Sequence, residues 1–65
     1  MTIAEAAKAA FPEGKGIVRS CWEFDLDIIR GADGTCACRL KEGGIVPAWQ
    51  PFAEDILADD WEITA

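Results

Sequence analysis

Near the amino terminus, apolar residues recur at the spacing of an amphipathic α-helix. Thr2 and Glu5 have the spacing of a capping box, in which a threonine hydroxyl accepts from a backbone N–H and a glutamate three residues later reaches back to the cap. The apolar positions that follow fall at i, i+3, i+4, i+7 and i+8, namely Ile3, Ala6, Ala7, Ala10 and Phe11. The pattern predicts a helix that begins at Ile3 and that Pro12 and Gly14 terminate.

Beyond Gly16 the apolar spacing changes from helical to alternating, which is typical of β-strands. The segments IVRSCW and FDLDII both alternate. In the second, Phe24, Leu26 and Ile28 point to one side, whereas Asp25 and Asp27 point to the other, where we expect them to face solvent. The two segments predict two adjacent strands, or one strand with a bend near Glu23.

The rest of the chain alternates turn signals with short regular segments. Asp33-Gly34 within RGADGT suits a hairpin turn, TCACRL is the return strand and KEGG is the next turn. Because proline cannot donate to a central ladder, IVPAW is expected to be an edge strand or a strap. We expect a short helix from Pro51 through FAEDILA, with Phe52, Ile56 and Leu57 facing inward, and WEI as a last short strand.

This order of elements predicts an α+β fold, in which the N-terminal amphipathic helix packs on a small antiparallel sheet and a short C-terminal helix and terminal strand follow. With 65 residues, the chain is expected to form one domain over residues 1–65. A chain of this size buries only about 60% of the surface that its unfolded form exposes. Such a small core is normally helped by disulfides, a metal or self-association.

Composition excludes several classes of function. Twelve acidic residues against six basic ones give a net charge of −6, which disfavours binding to duplex nucleic acid. The chain contains no histidine and no tyrosine, and it shows no glycine-rich phosphate loop and no nucleophile with an evident base. We therefore expect a protein that is not an enzyme and that needs no cofactor.

Cysteine usage and hydropathy indicate the compartment. Three cysteines are an odd number, and MTIAEAAKAA lacks the basic start and apolar stretch of a secretion signal, so we expect a reducing cytoplasm. No apolar run reaches the roughly 20 residues of a membrane-spanning helix. Cys21, Cys36 and Cys38 are expected to be buried thiols rather than zinc ligands, because C-x-C on a strand offers only two thiols on one face.

Five residues have the chemistry of a nucleotide site. The guanidinium groups of Arg19 and Arg39 could grip phosphate, and exposed Trp22 and Trp49 could stack on a base. Asp60 could accept from a ribose hydroxyl or an adenine amino group. The alternatives are structural: the arginines could pair with the surplus carboxylates, Asp60 with Arg19 in particular, and the tryptophans could belong to the core or to an oligomer interface. Trp61 is expected to lock the C-terminus onto the first helix.

Two long segments, TIAEAAKAAFPEGKGIVRSCW and PAWQPFAEDILADDWEI, resemble the Thoeris anti-defence two family of small phage domains. The family pattern is an amphipathic first helix, a glycine-flanked turn, a strand with an arginine and a tryptophan three residues later, and a C-terminal signature W-x-P…D-L-L-A-x-D-W-E. The residues that match it are Arg19, Trp22, Trp49, Pro51, Asp55, Leu57, Ala58, Asp60, Trp61 and Glu62. The segment before Trp49 is shorter than in typical members.

The resemblance implies a phage counter-defence protein that acts in the host cytoplasm. Members look like homo-oligomers that sequester cyclic nucleotide immune signals, glycocyclic ADP-ribose or cyclic dinucleotides, without cleaving them. By that analogy the chain forms a homodimer or homotetramer with the nucleotide between protomers. Arg19 and Arg39 would then hold phosphate, Trp22 and Trp49 would flank the base, and Asp60 would orient a ribose or adenine edge. The alternative is an acidic protein-interaction inhibitor, such as an anti-CRISPR that blocks a basic nucleic-acid channel.

Overall fold

The computed structural model describes residues 1–23 and 25–64 and confirms the α+β class. Its elements, in chain order, are α1 (Ile3–Ala10), a 3-10 turn (Phe11–Glu13), β1 (Ile17–Arg19), β2 (Leu26–Arg30), β3 (Cys36–Leu40), β4 (Ile45–Val46), α2 (Ala53–Leu57) and β5 (Trp61–Ile63). The inward orientation predicted for Phe24 falls on a residue outside those described. Within the described ranges no helix is long and apolar enough to cross a membrane.

The five strands form one antiparallel sheet in the order β4-β3-β2-β1-β5. The strand that ends the chain returns to pair with the first, so that Arg19 lies opposite Trp61 and Val18 opposite Glu62. One face of the sheet, called the helix face below, carries Ile17, Ile28, Cys38 and Trp61. The opposite face, called the open face, carries Val18, Asp27, Ile29 and Arg39.

Helix α1 packs on the helix face and closes the core. The predicted capping box is present: the Glu5 backbone N–H donates to Thr2 Oγ1 over 3.2 Å, and the Thr2 N–H donates to Glu5 Oε1 over 2.8 Å. Ala6 and Ala10 are completely buried against a cluster that includes Ile17, Ile28, Cys38 and Trp61. Because alanine side chains are small, the helix can lie close to the sheet, and the core is correspondingly thin.

Trp61 holds the two ends of the chain together. It is only 1% exposed, its backbone N–H donates to the Met1 carbonyl over 3.0 Å, and its indole Nε1–H donates to the Asp55 carbonyl over 2.9 Å. A buried tryptophan normally satisfies its N–H in this way. The expectation that Trp61 locks the C-terminus onto α1 is confirmed.

The turn and the edge strand that the sequence predicts are also confirmed. Between β2 and β3, Gly34 has a φ of 87°, and the Gly31 N–H and the Thr35 carbonyl close the hairpin. β4 pairs with β3 on one side and forms an edge of the sheet, with Ile45 and Val46 both exposed.

Helix α2 corrects the sequence prediction in two respects. It begins at Ala53 rather than at Pro51, and its apolar residues point outward instead of inward: the exposed fractions are 73% for Phe52, 55% for Ile56 and 84% for Leu57. The residue that faces inward is Asp55, which is 5% exposed. Two hydrogen bonds explain this orientation. The Asp55 carboxylate accepts from Arg19, and its backbone carbonyl accepts from the Trp61 indole, which together fix the rotation of the helix.

The orientation of α2 can be tested by replacing isoleucine with valine at a buried site and, separately, at a site on α2. Ile28→Val removes a methylene group from a fully buried side chain and should lower the free energy of unfolding by about 0.5–1.5 kcal/mol. Ile56→Val is the matched control, and as a surface substitution it should change stability by less than about 0.5 kcal/mol. Urea unfolding followed by tryptophan fluorescence measures both. Equal losses in a sample dilute enough to be monomeric would mean that α2 buries Ile56 against its own chain after all.

Candidate functional site

Arg19 is the centre of an ion-pair cluster on the helix face. Its Nη1–H donates to Asp55 Oδ1 over 3.1 Å, and its Nε–H donates to Asp60 Oδ1 over 2.9 Å. The Ser20 hydroxyl also donates to Asp60. The hydrogen bonds that Arg19 donates to Asp60 and then to Asp55 raise the pKa of Arg19, and the hydrogen bond from Arg19 lowers the pKa of Asp60. The guanidinium is thus bound by carboxylates of the same chain.

Three tryptophans form a second cluster beside Arg19. Trp22, Trp49 and Trp61 contact one another edge to face, with centroid separations of 5.3 Å for Trp22–Trp61, 6.2 Å for Trp22–Trp49 and 6.4 Å for Trp49–Trp61. Such pairs contribute about 0.5–1.5 kcal/mol each beyond the burial of their area. Trp61 is the buried member, and Trp22 and Trp49 pack on it half-buried.

The exposed sides of Trp22 and Trp49 line a cleft on the helix face, called the tryptophan cleft below. Its volume is about 330 Å³. The other residues that line it are Arg19, Leu26, Cys38, Gln50, Phe52, Glu54 and Asp55. Two of its polar side chains, Arg19 and Asp55, are already paired with each other, so the cleft offers aromatic surface but few free donors.

A bidentate ion pair lies at the centre of the open face. Asp27 and Arg39 are direct cross-strand neighbours on β2 and β3. Arg39 Nη2–H donates to Asp27 Oδ2 over 2.6 Å and Nε–H to Oδ1 over 3.0 Å, while the Thr64 hydroxyl donates to Oδ2 over 2.7 Å. A Cβ atom on Gly16 would lie 2.0 Å from Asp27 Oδ2, so the close approach of this carboxylate requires glycine there.

Burial and ion pairing shift the pKa of Asp27 in opposite directions. Burial raises the pKa of the carboxyl, but the hydrogen bonds from Arg39 and Thr64 and the charge of the guanidinium outweigh it, so the pKa lies below its usual value. The hydrogen bonds to Asp27 raise the pKa of Arg39 in turn. This position corrects the expectation that Asp27 faces solvent, because the open face holds a buried carboxylate with a cation and a hydroxyl bound to it.

The Asp27–Arg39 pair lies in a cleft of about 490 Å³, called the open-face cleft below. Its lining consists of Val18, Arg19, Trp22, Asp25, Leu26, Asp27, Arg39, Leu40, Lys41, Gly43 and Thr64. Lys41 and Asp25 form a long ion pair of 3.7 Å, with both side chains largely exposed. The cleft therefore combines apolar side chains, a tryptophan and a half-exposed arginine.

The structure brings together most of the five predicted site residues. Arg19, Trp22 and Arg39 all line the open-face cleft, and Arg19 and Trp22 meet Trp49 in the tryptophan cleft. Asp60 lines neither cleft, because Arg19 and Ser20 bind its carboxylate on the helix face. Two residues assigned to one ligand, Arg19 and Asp60, are partners of each other.

Sequence reasoning missed Asp27 as a buried partner of Arg39. The register depends on the length of the turn: a loop of residues 32–34 centred on Asp33 places residue 27 opposite residue 39, whereas a two-residue turn at Asp33-Gly34 would place it opposite residue 40. Asp55 was also missed as a buried residue. Its inward orientation depends on Arg19, which is 36 residues away in the sequence, and no local pattern indicates that contact.

The cysteines differ in their surroundings. Cys38 is buried, and burial, with a smaller effect from the charge of Asp27, raises the pKa of its thiol. Cys36 is half-buried, whereas Cys21 is exposed, which corrects the prediction of a buried thiol there, because it follows the end of β1. In the described part of the chain, no three residues of the metal-ligating types come close enough together to hold an ion.

Comparison with known proteins identifies one family. The model of the Tad2-like family, described as a Thoeris anti-defense 2-like domain, matches residues 1–64 of the chain. No curated protein and no solved structure matches the chain. The match spans both ion-pair clusters and both clefts.

The depressed pKa values of Asp27 and Asp60 predict loss of stability in acid. An aspartate in the unfolded chain has a pKa of about 3.9, so on acidification the unfolded state takes up these protons first. The stabilisation is therefore complete above about pH 5 and is lost as the pH falls through the folded pKa values. Urea unfolding between pH 7 and pH 2 measures this dependence, and Asp27→Asn should flatten it. An unchanged slope in that variant would contradict a depressed pKa.

Proposed function

We infer the function of this chain from its family, because it belongs to the Thoeris anti-defense 2-like domain family over residues 1–64. That membership supports a role against Thoeris defence. We propose that the protein binds a cyclic nucleotide immune signal, glycocyclic ADP-ribose or a cyclic dinucleotide, and sequesters it in the cytoplasm of the infected cell. The observation that carries the proposal is the open-face cleft, where a half-exposed arginine lies in the same lining as a tryptophan.

Arg39 is the residue best suited to hold phosphate. Asp27 accepts from its Nε and Nη2 atoms, which fixes the plane of the guanidinium, while Nη1 has no acceptor among residues 1–23 and 25–64. Guanidinium groups bind phosphate through several parallel N–H donors, and an orientation that is already fixed reduces the entropic cost of binding. Arg19, by contrast, already donates to two carboxylates.

Trp22 supplies the surface for a base. It lines the open-face cleft beside Leu26, and its edge contact with buried Trp61 holds the ring in place. Stacking of a base on an aromatic side chain contributes about 1–3 kcal/mol and tolerates any base. A volume of about 490 Å³ falls within the range of about 300–1,000 Å³ that is usual for small-molecule pockets.

The chemistry of the cleft favours binding without cleavage. Thr64 is the hydroxyl-bearing residue in its lining, and that hydroxyl donates to Asp27. A carboxylate whose pKa lies below its usual value is a weak general base at neutral pH. Asp25, the other carboxylate of the lining, pairs with Lys41. We therefore propose a protein that retains its ligand intact and is not an enzyme.

We propose in addition that the protein is a homodimer or homotetramer that associates through α2. Three large apolar side chains lie in solvent here: Ile56 and Leu57 on α2, and Phe52 immediately before it. Exposed apolar surface of this kind usually marks a protein contact, and a core this small gains from burying more of it. Phe52 also lines the tryptophan cleft, so a second copy seated on α2 would cover that cleft.

The ligand proposal predicts a specific effect of Arg39→Lys. In native mass spectrometry against glycocyclic ADP-ribose isomers and cyclic dinucleotides, the wild-type protein should retain one of these ligands and release it unaltered on heating. Arg39→Lys keeps the charge but loses the planar fork, and we expect about tenfold weaker binding, which corresponds to about 1.4 kcal/mol.

Arg30→Lys is the matched control for that variant, because Arg30 lies outside the open-face cleft. It should bind the cyclic nucleotide as the wild type does. An empty wild-type protein across the whole panel, or a ligand released in a cleaved form, would contradict the proposal. An equal loss in both variants would show that the loss is not specific to the open-face cleft, and unchanged binding in Arg39→Lys would show that the charge of Arg39 suffices without its planar fork.

The association proposal predicts that Leu57→Ser yields a monomer. Leu57 is 84% exposed, so the substitution should leave the fold intact and remove the contact. Sedimentation velocity at tens of micromolar should show a dimer or tetramer for the wild type. Ile45→Ser, which changes an exposed isoleucine on β4, is the control and should still associate. A monomeric wild type would argue instead for a protein partner, as expected of an acidic interaction inhibitor.

A further inference from the structure

Three aromatic side chains line the tryptophan cleft. The indole planes of Trp22 and Trp49 meet at 74° and so form a corner. Phe52, which is 73% exposed, adds a third ring to the lining. The face of an aromatic ring carries partial negative charge and attracts a cation that lies over it. Several rings around one cavity therefore favour a positively charged occupant.

The charges around the tryptophan cleft are predominantly negative. In its lining, Arg19 is the cation, and Glu54 and Asp55 carry the carboxylates. Asp55 and Asp60 both bind the Arg19 guanidinium, so its charge is more than neutralised. Glu54 is exposed, and within residues 1–23 and 25–64 its carboxylate forms no ion pair and accepts no hydrogen bond. An uncompensated carboxylate thus lies at an aromatic cavity.

The fold does not account for this arrangement. Glu54 lies in the first turn of α2, where an acidic side chain offsets the positive end of the helix dipole. Asp55 already fills that role, since its carboxylate accepts from the Phe52 backbone N–H. Phe52 belongs neither to the buried cluster of the core nor to the apolar residues packed against it. Neither Glu54 nor Phe52 therefore completes the core from this position.

A guanidinium group fits this lining better than a primary ammonium does. It is planar and weakly hydrated, so its faces can stack on the indoles of Trp22 and Trp49 at a lower cost of desolvation. Its N–H donors lie at the edge of that plane, where the Glu54 carboxylate and the Gln50 side-chain carbonyl can accept. A volume of about 330 Å³ is near the lower end of the range for small-molecule pockets, so the cleft has room for one side chain.

We propose that the tryptophan cleft binds an arginine side chain of a partner protein. A partner protein suits the site better than a free guanidinium compound, because exposed Ile56 and Leu57 on the adjoining helix add apolar surface that a small cation would leave uncovered. A net charge of −6 also attracts basic proteins over a long range. Since a second copy seated on α2 would cover the same cleft, arginine binding competes with self-association. The site does not depend on the nucleotide binding proposed for the open-face cleft.

The test is a two-dimensional NMR titration of the full chain at 0.15 M salt, near physiological ionic strength. The probes are N-acetyl-arginine amide, its uncharged analogue N-acetyl-citrulline amide, and the capped tripeptide Leu-Arg-Leu. Shifts are expected at the indole N–H of Trp49 and at the backbone amides of Gln50 and Glu54. Citrulline has nearly the shape of arginine without its charge, and its amide should bind at least about tenfold more weakly. Equal binding of the citrulline and arginine amides would overturn the proposal.

The tripeptide distinguishes a partner protein from a small compound. Its leucines can contact the apolar surface of α2, so it should bind at least about threefold more tightly than the arginine amide. Equal binding of the two would identify a free guanidinium compound and contradict a partner protein.

Glu54→Gln keeps the size of the side chain, removes its charge and should weaken binding of the arginine amide at least about fivefold. Glu13→Gln is the matched control, because it makes the same change at an exposed glutamate that lines neither cleft. It should weaken binding less than about twofold. An equal loss in both variants would indicate unspecific attraction to the net charge and would overturn the proposal, as would no loss in Glu54→Gln.

The titration with the arginine amide is repeated on Leu57→Ser, which is expected to be monomeric. Absence of shifts in that variant cannot result from a second copy covering the cleft and would overturn the proposal. Arg39→Lys should leave arginine binding unchanged, and Glu54→Gln should leave nucleotide retention unchanged. Failure of the tryptophan cleft can therefore be distinguished from failure of the open-face cleft.

Discussion

The ion pairs of Arg19 with Asp55 and Asp60 determine the orientation of the C-terminal third of the molecule. Arg19 lies at the end of β1 and binds one carboxylate from α2 and another from the residue before β5. Since β5 must also pair with β1, one guanidinium aligns a helix and a strand with the same edge of the sheet. An arginine can do this because its fork presents donors in several directions within one plane.

The outward apolar surface of α2 follows from that alignment. A helix of five residues has only about one and a half turns, so an inward Asp55 forces Leu57, two residues on and about 200° around the axis, to point outward. The helix contributes little apolar burial to the core. The core depends instead on the alanines of α1, on the central isoleucines and on Trp61, which holds the two ends of the chain together.

How much of this the sequence could predict depends on the distance between the interacting residues. The capping box at Thr2, the hairpin turn at Gly34 and the edge position of β4 rest on neighbouring residues, and all three predictions are confirmed. The prediction that Phe52 and Ile56 face inward is wrong, because the contact of Asp55 with a distant guanidinium, and not the local apolar pattern, determines the rotation of the helix. The prediction that Asp27 faces solvent is wrong for a related reason, since the cation that binds it lies on the next strand.

In the candidate site, too, local features can be predicted from the sequence, whereas contacts between distant residues cannot. Arginine and tryptophan at positions 19, 22, 39 and 49 indicate nucleotide chemistry by residue type, but the donors left free after folding decide which residues can bind. Arg19 donates to two carboxylates and Arg39 to one. Within residues 1–23 and 25–64, Nη1 of Arg39 has no acceptor, and the side chain of Arg30 donates to none. Three arginines that look equivalent in the sequence therefore differ in their capacity for a ligand. In an acidic chain, the capacity of an arginine to bind a ligand depends on how many of its N–H donors are bound to carboxylates after folding.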